Sequence, residues 1–169
     1  SFPPSMRIIV ESIRDRAKPG HSYAASGQTP RPQGAWIHLG RVLESVARHI
    51  PAGFSFDGVS IGWGRRGSSP RRRQRSIKLG SMGERERMIR VHPVLDDPWV
   101  PGLVIEYVVF HELCHYLAPP LTSAEARAQR ENRIHHRAFR MLEEQYPEKQ
   151  AAEEWIDRHL DILLKKAAK

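Results

Sequence analysis

The chain has 169 residues, 40% hydrophobic and 27% charged, which fits one domain or one domain with a modest tail. Lysine and arginine outnumber aspartate and glutamate by 27 to 19, giving a net charge of +8 and a pI near 10.1, a balance suited to polyanionic partners. The most apolar stretch, Leu103 to Ala118, is interrupted by Glu106, His111, Glu112 and His115 and is too polar for a membrane span, while the single cysteine, Cys114, excludes an internal disulfide.

At the start of the chain, Ser1 to Arg16 scatters Arg7, Glu11, Arg14, Asp15 and Arg16 through its apolar run with no small-residue cleavage site, which argues against a secretory signal. Residues 6–18 can form a short helix, and Pro19 to Gly34, rich in Gly, Pro, Ser, Gln and Thr, reads as a flexible connection. The expected organisation is an N-terminal arm over 1–34 and a domain over 35–169. Trp36, Leu39, Leu43, Val46, Ala47 and Ile50 recur at helical spacing before Pro51 and Gly53 end the pattern. Strand-like pieces follow at Phe54 to Trp63, with a change of phase at Gly58, at Ser76 to Leu79 and at Arg87 to His92, and together they predict a small antiparallel sheet.

The positive charge is concentrated between the first two strands. No acidic residue occurs between Asp57 and Glu84, whereas Arg65, Arg66, Arg71, Arg72, Arg73, Arg75 and Lys78 all do. Interspersed with Gly64, Gly67, Ser68, Ser69 and Pro70, these side chains are expected to bind nucleic acid, since each neutralised phosphate releases counterions, and Trp63 can add base stacking. The plainer reading is a solvated basic loop.

Asp97 before Pro98 is a favourable helix entry and predicts a buried helix from Pro98 to Leu117, stopped by Pro119 and Pro120. Leu121 to Asn132 suits a loop or the exposed start of another helix. His135 to Gln145 and Lys149 to Lys166 both read as helices, the second with Ile156, Leu160, Leu163 and Leu164 on one stripe.

Residues 111–115 spell His-Glu-Leu-Cys-His inside the buried helix. One helical turn separates His111 from His115, so both imidazoles can reach one Zn²⁺ while Glu112 beside them stays free to act on a water held by the metal. Polar groups in so apolar a helix are costly unless metal and hydrogen bonds satisfy them. A catalytic zinc takes three protein ligands and keeps one open position. A metzincin would place Gly at 118 and His at 121, where this chain has Ala118 and Leu121. Glu125, Glu131, His135 and His136 all remain available as the third ligand. Cys114 faces away from the two histidines and reads as a small buried apolar residue, and His92, at a strand end before Pro93, reads as structural.

His111 to His115, followed some twenty residues later by His135-His136-Arg137-Ala138-Phe139, resembles the SprT-like family of zinc metalloproteases, whose second motif is a histidine four residues before an aromatic. The resemblance spans Trp36 to Leu164. It implies an α+β, zincin-like minimal metalloprotease domain, with a small antiparallel sheet packed against the HExxH helix and C-terminal helices. It implies one Zn²⁺ per chain held by His111, His115 and His135, with Glu112 as general base and Phe139 packed against the active helix. A protein or peptide substrate and DNA contact through the basic loop are implied with it, while the single cysteine and the interrupted apolar stretch point to a cytoplasmic setting away from membranes. Two other readings are a non-catalytic DNA-binding or adaptor module with structural zinc, and a metal-dependent nucleotide hydrolase.

Overall fold

The computed structural model describes residues 29–65 and 76–169. In chain order these form α1 (Leu39–Ala47), β1 (Ser60–Trp63), β2 (Gly80–Gly83), β3 (Met88–Val91), a 3-10 turn (Pro93–Leu95), α2 (Gly102–Leu117), α3 (Ser123–Gln129), α4 (Arg137–Glu143) and α5 (Lys149–Ala167), an α+β arrangement. The helix expected over 6–18 lies outside the described residues, as do Arg66, Arg71, Arg72, Arg73 and Arg75. Among the described residues no helix is long and apolar enough to cross a membrane.

α2 is the centre of the molecule. Val104, Ile105 and every residue from Tyr107 to His115 are buried, and a helix that is apolar all round needs neighbours on every side. α1, α4, α5, β2 and β3 supply them. The helix begins at Gly102, four residues later than the sequence predicts, because Pro101 has no N–H to offer a helix interior and takes the N-cap instead. Asp97 caps a tight turn rather than the helix, its Oδ1 accepting the Trp99 N–H at 2.9 Å and its carbonyl the Val100 N–H at 3.0 Å.

The sheet is mixed, which corrects the expectation of an antiparallel one. Its order is β1-β3-β2, with β3 parallel to β1 and antiparallel to β2. Only β2 and β3 form a hairpin. β3 lies between its two predecessors in the sheet, and its parallel partner β1 is joined to it in sequence through β2 rather than by a tight turn. β2 itself is Gly-Ser-Met-Gly, a sequence with little strand propensity that pairs because Gly80 and Met82 face the interior.

The last residues of the expected arm are docked on the domain. The Trp63 N–H bonds to the Arg31 carbonyl at 2.9 Å, and the Leu39 N–H to the Pro32 carbonyl at 2.8 Å. Gly62 makes this approach possible, since a Cβ there would lie 2.6 Å from Pro30. The entry to α1 is held by Asp96, whose carboxylate accepts the backbone N–H groups of Ala35 (2.6 Å), Trp36 (3.0 Å) and Ile37 (3.1 Å). Across the molecule, α5 is tied to the same region by Lys166, which bonds to Asp97 Oδ2 at 2.8 Å and lies over the Trp99 ring.

Asp96→Ala removes the acceptor of three N–H groups and is expected to lower the unfolding free energy by about 1–2 kcal/mol in urea denaturation, with the m-value unchanged. A change within about 0.3 kcal/mol of zero would mean that water replaces the carboxylate without cost.

Candidate metal centre

α2 sets His111 and His115 one turn apart on its buried length, with their Nε2 atoms 3.1 Å from each other. His135 arrives from the segment before α4, its ring centroid 5.3 Å from that of His111 and 5.1 Å from that of His115. One ligand atom from each of the three lies within 4.8 Å of the others, close enough to hold a single metal ion. Two features fix His135. Asn132 Oδ1 accepts both the Ile134 and the His135 N–H, at 2.8 and 2.9 Å, which sets the backbone. Phe139, wholly buried one turn further on, touches all three imidazoles, with centroid distances of 5.1, 4.5 and 4.9 Å to His111, His115 and His135.

The donor set suits zinc. Ligand atoms about 2.0–2.1 Å from a tetrahedral Zn²⁺ are separated by about 3.3 Å, so the His111–His115 pair already has the spacing of one edge of that tetrahedron. His115 Nδ1 and His135 Nε2 are buried with no hydrogen-bond partner among the described residues. Burial, aided by the neighbouring imidazoles, holds the His115 pKa down at about 2, and burial lowers that of His135 as well. Both rings are therefore neutral and carry a lone pair, the form a metal binds.

The other candidates for third ligand are occupied elsewhere. His136 is buried as the N-cap of α4, with Nε2 3.0 Å from the Pro119 carbonyl. Glu125 forms a capping box with Thr122 at the start of α3. Glu131 accepts the Arg137 N–H at 2.5 Å. Cys114 is buried on α2 outside the histidine cluster, and burial pushes its thiol pKa up. His92 accepts the Val94 N–H on Nδ1, a structural contact.

Glu112 is the conspicuous group. It is 0% exposed, and neither carboxylate oxygen has a hydrogen-bond partner among the described residues. Burial pushes its pKa up to about 7 against the opposing influence of His111 and Lys78. β2 passes directly over it, because Gly80 has no side chain: a Cβ there would lie 2.9 Å from Glu112 Cγ and Oε1.

Sequence reasoning missed Glu143 and Tyr107. His111 Nδ1 donates to Glu143 Oε1 at 2.8 Å, which leaves its Nε2 lone pair directed toward His115. The Tyr107 hydroxyl lies 2.7 Å from Glu143 Oε1 and 2.8 Å from Glu153 Oε1. Burial works against the Glu143 charge, but the hydrogen bonds from His111 and Tyr107 and the nearby Lys149 outweigh it and hold its pKa below the usual glutamate value. The available signal was position: Glu143 lies four residues after Phe139 and shares its inward face, and Tyr107 lies one turn before His111.

Of the basic residues that are described, Arg65 is exposed. Lys78 departs from the expectation of a phosphate contact, since its ammonium is buried and its charge acts on Glu112 and His115.

Comparison of the chain with protein-family models, with curated proteins and with solved structures finds no match.

Glu143→Gln keeps the shape of the side chain but removes the charge that orients His111. Zinc affinity, measured by competition with a chelating dye, is expected to fall about 10–100-fold with little change in melting temperature. An unchanged affinity would reduce Glu143 to a packing role. The Cys114 thiol is expected to resist an aromatic disulfide reagent in the folded protein and to react at once in denaturant. Rapid labelling of the native state would contradict its burial.

Proposed function

We propose that this protein is a zinc-dependent metallopeptidase of the zincin type, with His111, His115 and His135 holding the ion and Glu112 as general base. The observation that carries this reading is the conjunction of the three-imidazole cluster with a fully buried carboxylate whose oxygens have no hydrogen-bond partner among the described residues. When bound, zinc would polarise the substrate carbonyl and lower the pKa of water toward about 7. Glu112 takes the proton that water gives up as its oxygen bonds to the carbonyl carbon, and delivers it to the amine nitrogen as the C–N bond breaks. Glu143 keeps His111 in the tautomer that exposes Nε2, and Phe139 wedges the three rings in place.

Glu112 also favours an enzyme over a structural zinc site. A structural site needs only its ligands, and a buried carboxylate without hydrogen bonds is a cost that such a site would not require. Peptide as the substrate is supported by the resemblance of the two histidine motifs to the SprT-like family. The arginine-rich segment, read on its sequence, would bring such an enzyme to proteins on DNA.

The test pairs metal content with turnover on labelled casein. Wild-type protein is expected to carry about one zinc per chain, a three-ligand catalytic site. His135→Ala is expected to lose most of it and His136→Ala to keep it. Glu112→Gln is expected to retain zinc and stability while hydrolysis falls at least about 10²-fold. A Glu112→Gln variant as active as wild type would overturn the mechanism.

A further inference from the structure

Lys78 belongs by sequence to the basic segment, yet the fold takes its ammonium away from solvent. The register explains where it goes. Gly80 pairs with Val91, and the next rung outward is kept by the His92 N–H bonding to the Leu79 carbonyl at 2.8 Å, so the strand geometry extends back beyond β2. Side chains two residues apart on a strand share a face, and the Gly80 face is the one lying on Glu112. Lys78 is thus carried on the side of the strand that looks toward the metal centre.

We propose that the Lys78 ammonium is the fixed cation that receives the negative oxygen of the substrate when water adds to its carbonyl, a role that rests on the peptidase reading above. In that step the water oxygen bonds to the carbonyl carbon, the π pair moves onto the carbonyl oxygen, and the water proton passes to Glu112. Charge develops on the substrate oxygen where none existed before. A cation already in place, in a region shielded from water, meets that charge without reorganisation, and removing one such group typically costs about 10²–10³ in turnover. Two further observations fit the placement. The charge of Lys78 reaches both Glu112 and His115, though burial and the imidazoles weigh more heavily there. Two polar groups near the cluster are already engaged, Tyr107 by Glu143 and Glu153 and His136 by the Pro119 carbonyl.

The test is the affinity of the zinc-loaded full chain for a peptide phosphonate with blocked termini, whose only anion is the tetrahedral phosphorus group. Lys78→Met is expected to weaken it about 10–100-fold, the worth of one charge-assisted hydrogen bond, while zinc content and the affinity for imidazole, a neutral metal ligand, stay unchanged. Lys78→Arg is expected to recover part of the loss, and Lys78→Gln serves if the methionine variant is unstable. The same measurements in a Glu112→Gln background separate direct contact from an effect relayed through Glu112. Loss of affinity in both backgrounds supports the proposal. Unchanged affinity in Lys78→Met, or a loss confined to the chain with Glu112 intact, overturns it and leaves the peptidase reading standing. Wild-type protein that binds no zinc overturns both.

Discussion

The 2.8 Å hydrogen bond from His111 Nδ1 to the Glu143 carboxylate joins α2 to α4 where water does not reach. An imidazole has two nitrogens, and engaging one determines what the other presents. With Nδ1 donating, Nε2 offers a lone pair 3.1 Å from Nε2 of His115, and the third ring is brought up by the segment that leads into the same helix as Glu143. The cluster therefore depends on the packing of α4 on α2, and Phe139, in contact with every ring, is the apolar half of that packing. Tyr107 extends the polar half toward Glu153 and Lys149, so the buried carboxylate is linked step by step to the surface of α5.

A helix with no solvent face is an expensive place to put two imidazoles and a carboxylate, and the arrangement around α2 shows how the cost is distributed. His111 has a protein partner; His115 turns Nε2 to the cluster, and His135 Nε2 and both Glu112 oxygens are buried with no hydrogen-bond partner among the described residues. Natural cores rarely leave buried polar atoms this way without a use for them. The approach of β2 at Gly80 adds to the pressure, since it brings a strand to the carboxylate without a side chain to shield it.

Much of this was legible in the sequence because its signals are local. The HExxH spacing needs only helical geometry, and the prolines at 119 and 120 mark where α2 ends. His135 was distinguishable from His136 through the motif ending at Phe139, and the structure adds the reason: one ring turns to the cluster and the other lies against the Pro119 carbonyl. Strand order was not legible, because β1 and β3 pair across the whole connection over 64–87 and nothing in either strand encodes its neighbour. Glu143 was hidden by the rule that acids on an amphipathic helix face water. Lys78 was hidden by its company: in a run of cations every member reads as solvated, and only the register of the following strand turns this one inward.

The central claim is a zinc ion held by three imidazoles with one position open, and X-ray absorption at the zinc edge of the purified protein tests it most directly. The account predicts three imidazole nitrogens and one further oxygen or nitrogen at about 2.0–2.1 Å. A sulfur shell near 2.3 Å would place Cys114 in the coordination sphere, and four imidazoles would close the site to water; either result would contradict it.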